Sequence, residues 1–364
     1  MRQSKSIWIR YINIRFVKVL FYLLLGQINF FRDNLKIYLQ TKKVSEVGFD
    51  AVEICNGDTQ LFIFGKVDDV DILGKSGLAI SNKFSAAIGG GTHTTSFNMI
   101  KPMLCKSKIK KDGLVFNMVG IHKGHRHFFH IFFDYFIPLF FYLKTINKGA
   151  KIEVLVRQDL NSIQEDLIKF FEDEFSEVKF SKIATNQIAR CSRLAYFCHN
   201  HFSFYDNEKN LGIGKIIQEF RDMLIEKYNI NKVEKNKVYI SRLDAQTRKI
   251  LNEDVLIDFL KKEGFEIHTL ADKKFKQQIE IFANSKLIIA PHGAALTNLM
   301  FCDENAKFVE IFPKKFFNEG FVMIAKLVNL KRYEIIEDNE SLKQCFYINL
   351  AHIKNKLRDF SLLN

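Results

Sequence analysis

Between Lys237 and Pro313 the chain alternates short oily runs with amphipathic stretches, and no other feature restricts its fold as strongly. KVYIS (237–241), FEIHTL (265–270), KLIIA (286–290) and KFVEIFP (307–313) read as strands. A helical pattern over 213–228 precedes them, and others separate them. One is opened by Asn252, carries Glu253 and Asp254 where acids complement a helix N-terminus, and ends at Gly264; the next covers 274–284. Strand–helix alternation over about 80 residues predicts a parallel sheet with helices on both faces.

The first half follows a looser version of the same pattern. AVEIC (51–55), QLFIFG (60–65) and LVFNMVG (114–120) read as strands, and IGGGTHTTS (88–96) is too glycine-rich for a regular element. A long helix is predicted over roughly Arg126–Ile146, a strand over KIEVLVR (151–157), a helix over 161–175 capped by Asn161 or Ser162, and a strand over LAYFC (194–198). The 364 residues exceed what one hydrophobic core usually serves, so two α/β domains are expected.

The net charge of +13 is unevenly spread. Arg2, Lys5, Arg10, Arg15, Lys18, Arg32 and Lys36 face a single acid, Asp33, in a segment that is otherwise oily and aromatic. Its longest uncharged run, Val19 to Phe31, falls short of the roughly 20 apolar residues of a spanning helix. A basic helix lying on an anionic membrane surface fits it, as does a helix packed on the body with its basic face in water. No nucleic-acid-binding motif accompanies the charge, so nucleic acid is not an expected partner. The cysteines at 55, 105, 191, 198, 302 and 345 form no CxxC pair, which predicts free thiols in a reducing compartment.

LIIAPHGAALTNLMF (287–301) leaves a strand at Pro291 and enters a helix at once. A helix start at the carboxyl end of a parallel strand offers unpaired N–H groups and a positive dipole to an anion. Gly293 and Ala294 let a phosphate approach the backbone, His292 adds a hydrogen bond, and Thr297 and Asn298 lie one turn in. The alternative is a tight turn whose small residues only let helix and strand pack. In YISRLDAQTRKILNEDVL (239–256) a strand ends at Ser241, and Arg242 and Arg248 flank a loop before Asn252. Two guanidinium groups at a strand end suit a diphosphate, with Asp244 placed to pin one of them. Glu310, on the strand after the phosphate turn, is a candidate acceptor for ribose hydroxyls.

HKGHRHFFHIFFDYFIPLF (122–140) carries His122, His125, His127, His130 and Asp134. On a helix, 127, 130 and 134 share a face. His130, oriented by Asp134, would serve as a base toward an acceptor hydroxyl. Alternatively, His127, His130 and Asp134 form a ligand set for a metal-dependent hydrolase, or the phenylalanines form a core with the histidines at its rim.

Together these motifs resemble glycosyltransferase family 61, whose pattern has Asn-x-x-His-x-x-x-Asp followed shortly by Pro, a Ser-Arg loop with a second basic residue and an Asn, and a late His-Gly-Ala turn. The matching positions are His130, Asp134 and Pro138, then Ser241, Arg242, Arg248 and Asn252, then His292, Gly293, Ala294, Thr297 and Asn298. His127 stands where the family has Asn. The resemblance covers roughly residues 120–315. It implies an α/β GT-B fold of two Rossmann-like domains facing a cleft, and inverting transfer of a sugar without a metal or other cofactor. The donor would be a nucleotide sugar of the UDP-sugar kind, the acceptor a glycan or lipid-linked glycan of capsule or lipopolysaccharide type. The setting would be cytoplasmic, peripheral on the inner face of the membrane. The chain then divides into a basic amphipathic segment (1–45), an acceptor-side domain (46–210), a nucleotide-sugar domain (211–340) and a last helix packing back (341–364). The competing classes are the metal-dependent hydrolase and a non-catalytic basic protein that binds membrane surfaces.

Overall fold

Aromatic bulk is stabilised by burial against other bulk, and in the computed structural model of the chain the phenylalanines of the first half gather between helices and sheet. The structure describes residues 10–11, 50–56, 59–75, 77, 79–81, 86–88, 107–119, 127–147, 149–199, 211–233, 236–315, 320–340 and 342–363. Most of the basic N-terminal segment, the glycine-rich stretch after Ile88, and His122 and His125 lie outside the described residues. The chain divides into two compact units, Met1–Lys209 and Asn210–Asn364.

The first unit has nine described strands: β1 (Arg10–Tyr11), β2 (Asp50–Asn56), β3 (Thr59–Leu73), β4 (Ala79–Ser81), β5 (Ala86–Ile88), β6 (Lys108–Asn117), β7 (Ile152–Arg157), β8 (Val178–Ile183) and β9 (Ile188–His199). They form one sheet in the order β1-β5-β4-β3-β9-β6-β7-β8, with β2 paired to β3. Strands β9, β6, β7 and β8 run parallel. The rest is antiparallel, dominated by the long pairing of β3 with β9 from Phe62↔His199 to Leu73↔Ile188. The sheet is therefore mixed rather than wholly Rossmann-like.

Helix α1 (Phe128–Asn147) contains two π-helical stretches, Ile131–Phe136 and Leu143–Asn147. Pro138 has no N–H and its ring crowds the carbonyl of residue 134, so regular α winding is disfavoured there. The wider winding, with the Ile137 N–H donating to Phe132 O, accommodates it. By length and composition α1 could cross a membrane, yet 72% of its most apolar window is buried in the structure. Helix α2 (Ser162–Glu174) starts in a capping box: the Gln164 N–H donates to Asn161 Oδ1 (2.9 Å) and the Asn161 N–H to Gln164 Oε1 (3.1 Å). Phe171 of α2 stacks on Phe175 (5.6 Å between centroids) and meets Phe136 (5.4 Å) and Phe140 (6.4 Å) of α1 and Phe180 (6.4 Å) of β8.

The second unit runs α3 (Leu211–Lys227), β10 (Asn236–Ile240), α4 (Glu253–Lys262), β11 (Phe265–His268), α5 (Phe275–Ala283), β12 (Ser285–Pro291), a 3-10 helix (Ala294–Phe301), β13 (Lys307–Pro313), α6 (Gly320–Leu327) and β14 (Lys331–Glu337). A small hairpin, β15 (Asn339–Glu340) with β16 (Phe346–Tyr347), and α7 (Leu350–Asp359) follow. Gly264, at φ 80°, supplies the left-handed residue that ends α4. The five-stranded sheet is parallel throughout, in the order β11-β10-β12-β13-β14. Counted from β10 this is 2-1-3-4-5, a doubly wound order whose topological switch point lies between β10 and β12.

Period-2 alternation sorts the strand residues between two layers. Tyr239, Leu287, Ile289, Val309, Ile311 and Ile335 cluster with Leu256 and Leu260 of α4 and Ile353 and Leu357 of α7. Val238, Ile288, Ala290, Phe308 and Glu310 alternate with them and are equally buried. The helix expected after Gly293 is a 3-10 helix, and its residues Leu296–Phe301 are all buried under α3, α5 and α6.

Phe171 is completely buried at the centre of the first unit's aromatic cluster. Phe171→Ala is expected to destabilise that unit by about 3–5 kcal/mol in urea unfolding. A loss under about 1 kcal/mol would show a cluster that collapses around the void.

Candidate active site

The two motifs that the sequence keeps fifty residues apart meet at the switch point. Arg242 follows β10 and Gly293 follows β12. A Cβ placed on Gly293 would lie 1.6 Å from Nη1 and 2.6 Å from Cζ of Arg242, so the guanidinium lies directly against the bare glycine. Gly293 is extended (φ 175°), which any residue tolerates; the guanidinium excludes a side chain, the backbone conformation does not.

A buried carboxylate sets the position of Arg242. Glu253, 2% exposed in the first turn of α4, accepts at Oε1 the Tyr239 hydroxyl (2.7 Å) and the Arg242 backbone N–H (3.2 Å). The Arg242 side chain donates from Nη2 to Thr247 O (3.0 Å), while its buried Nε has no hydrogen-bond partner among the described residues. Arg248 sits on the same loop in the left-handed region (φ 57°), its N–H donating to Lys343 O. Burial, and then the like charge of Arg248, hold Arg242 below its ordinary proton affinity; burial alone does so for Arg248. Both guanidinium groups remain charged, and two half-buried cations side by side favour an incoming anion.

The neighbouring residues have other tasks than those expected. Asp244 attracts the Arg242 charge without a direct ion pair to it; its Oδ2 accepts the Ala271 N–H (3.3 Å), tying the loop to the segment after β11. Ser241 accepts the Leu243 N–H at Oγ (3.2 Å). Asn252 makes no cap on α4 but exchanges two 3.0 Å hydrogen bonds with the backbone of Ile348, fastening the loop to the C-terminal segment.

His292 is 5% exposed, packed on Phe321 (4.9 Å between ring centroids), with its N–H donating to Ile311 O. Its Nδ1 lies 2.6 Å from Glu310 Oε1. A carboxylate only accepts, so Nδ1 carries the proton. The other oxygen of Glu310 is held by Arg332 of β14, through Nη2 (2.7 Å) and Nε (3.0 Å). Glu310 is therefore not an open acceptor for ribose: at 1% exposure both its oxygens serve inside the fold. Sequence reasoning missed Arg332, because a lone arginine in the edge strand KRYEIIE looks like any solvated one. Ala294 opens the 3-10 helix, whereas Thr297 and Asn298, one turn into it, are wholly buried. Asn298 Nδ2 donates to Gln278 Oε1 of α5 and to Ala295 O (3.1 Å each), which makes it a brace for the turn.

In the first unit His130 Nδ1 lies 2.7 Å from Asp134 Oδ2, one turn away and within the π-helical stretch. Asp134 is 4% exposed and the His130 side chain 21%. The carboxylate again accepts the hydrogen bond from Nδ1–H, so the nitrogen turned toward a substrate proton is Nε2. His127 lies 5.2 Å from His130 between ring centroids. Among the described residues no three His, Cys, Asp or Glu side chains converge as a ligand set, so His127, His130 and Asp134 do not form the metal centre weighed above. The chain does contain one Asp-x-Asp triplet, Asp69-Val70-Asp71, in β3. Asp71 is buried and held by Arg190 through both carboxylate oxygens (2.8 and 2.9 Å), a structural ion pair.

The family described as Glycosyltransferase 61 matches residues 128–309, half of the chain, running from the His130 helix into β13 and ending one residue before Glu310. The xylan glycosyltransferase MUCI21 of Arabidopsis thaliana is 26% identical over 212 residues, covering 51% of this chain and 42% of that protein. Protein O-linked-mannose beta-1,4-N-acetylglucosaminyltransferase 2 of Bos taurus is 32% identical over 109 residues, 28% of this chain and 18% of that protein, and its Homo sapiens counterpart is 31% identical over the same length. The chain thus spans less than half the length of these relatives. It belongs to glycosyltransferase family 61.

Proposed function

We propose that the second unit binds a nucleotide-sugar donor, of the UDP-sugar kind, with its diphosphate against Arg242, Arg248 and the turn Gly293–Ala294. The observation that carries this reading is the Arg242 guanidinium laid over Gly293 at the switch point of a doubly wound sheet. Ligands collect there in open parallel sheets, and backbone N–H groups at the start of a helix receive phosphate oxygens. As the glycosidic bond breaks, negative charge grows on the leaving diphosphate; cations already in place stabilise it more than they stabilise the ground state. No metal is needed for that neutralisation.

His130, held by Asp134, takes the proton of the acceptor hydroxyl as that oxygen attacks the anomeric carbon from the side opposite the leaving group, inverting its configuration. The two units then act as the halves of a GT-B enzyme. The acceptor is a glycan, in keeping with relatives named for xylan and for protein O-mannose. The basic, oily sequence of the N-terminal segment supports work on a membrane-borne surface glycan of the capsule or lipopolysaccharide kind, at the cytoplasmic face.

A thermal-shift panel with UDP, GDP, CMP and ADP tests the donor site directly, since a ligand that binds only the folded state stabilises it by RT ln(1 + [L]/Kd). UDP is expected to raise the melting temperature most, and Arg242→Ala is expected to abolish the shift and cut turnover about a hundredfold with the fold intact. Nucleotide shifts unchanged in Arg242→Ala would remove the site. A second test places a methyl group where the guanidinium lies. Gly293→Ala is expected to leave stability within about 1 kcal/mol, because the displaced atoms are the tip of a flexible side chain. It should weaken UDP binding at least about tenfold, the scale of one lost charge-assisted hydrogen bond. Isothermal titration showing wild-type affinity would contradict the placement of Arg242.

A further inference from the structure

Resting on the donor site just described, we propose that Arg332 is a positioning residue for the reaction: through Glu310 it fixes the ring of His292 against the leaving diphosphate. Arg332 lies on β14, two strands away from the PHG turn, and lies outside the matched family segment 128–309.

The geometry is that of a relay. Arg332 commits Nη2 and Nε to one oxygen of Glu310 and Nη1 to Glu334 (2.9 Å), and its side chain is 11% exposed. Glu310, pinned from that side, presents its other oxygen to His292 Nδ1 at 2.6 Å. Phe321 closes against the imidazole, and the His292 backbone is bonded to Ile311. Ring and backbone are thereby fixed on the residue that adjoins Gly293.

Burying a carboxylate this deeply is costly unless each oxygen is satisfied, and a plain packing role would be served as well by an apolar residue. What a carboxylate supplies here is direction and charge. With its Nδ1–H donated to Glu310, the ring presents Nε2 as the nitrogen that meets a phosphate oxygen. Arg332 keeps Glu310 aimed. His292 then contacts a diphosphate more than a monophosphate, since the second phosphate carries the oxygen that parts from the anomeric carbon.

The test uses the full chain with UMP and UDP as probes, and Arg332→Lys, Arg332→Met, Glu310→Gln and His292→Ala as variants. Titration gives the ratio of UMP to UDP dissociation constants for each. In His292→Ala the preference for UDP is expected to fall about tenfold or more. Arg332→Met and Glu310→Gln should match it, while Arg332→Lys, which keeps a cation beside Glu310, should restore most of the preference. In the double variant Arg332→Met/His292→Ala the two effects should not add, because both act through one imidazole. A preference lost in His292→Ala but unchanged in Glu310→Gln and Arg332→Met, or additive losses in the double variant, would overturn the relay and leave the donor site standing. Equal UMP and UDP affinity in the unaltered protein would instead overturn the donor site itself. If Arg332→Met does not fold, Arg332→Lys and Glu310→Gln decide the question alone.

Discussion

A guanidinium resting on a bare α-carbon organises the second unit. Arg242 occupies the volume that any side chain on Gly293 would need, and each flanking element is arranged to keep it there. Glu253 holds its backbone from α4, the Thr247 carbonyl holds its side chain, and Asn252 and Asp244 fasten the loop at its two ends to Ile348 and Ala271. Such an arrangement is unfavourable for a neutral purpose. Two desolvated cations repel each other, and an anion bound between them recovers that energy. The fold supplies the place: β10 and β12 are neighbours in space but separated in sequence by a strand and two helices, so their carboxyl ends open where the winding reverses.

Two buried carboxylates do comparable work on either side of that opening. Glu253 orients a cation by its main chain, and Glu310 orients an imidazole by its ring nitrogen. In the first unit Asp134 does the same for His130, on a helix whose winding is widened around Pro138. The recurring device is an inaccessible acid that fixes a more exposed donor or base.

Much of the second unit was legible because periodicity and punctuation agreed. KFVEIFP is a strand over its whole length and Gly264 ends a helix by adopting a positive φ, while in the first unit Asn161 begins a helix by capping it. Long-range pairing was not legible. Strand β3 finds β9 more than a hundred residues later, and nothing local in QLFIFG announces an antiparallel partner. The helix after Gly293 was expected to be an ordinary α-helix, yet it winds as a tight 3-10 segment buried beneath three helices. The site residues divide similarly. Arg242, His292 and Gly293 stood out by type and position, but the tasks of Glu310 and Asn252 depend on Arg332 and Ile348, distant partners that a single sequence does not pair with them.

The central claim is that a diphosphate docks at the switch point between the carboxyl ends of β10 and β12. A crystal structure of the chain with UDP tests it most directly. The expected result has phosphate oxygens within hydrogen-bond distance of the Arg242 and Arg248 guanidinium groups and of the backbone at Gly293–Ala294. UDP bound elsewhere, with Arg242 still closed over Gly293, would contradict it.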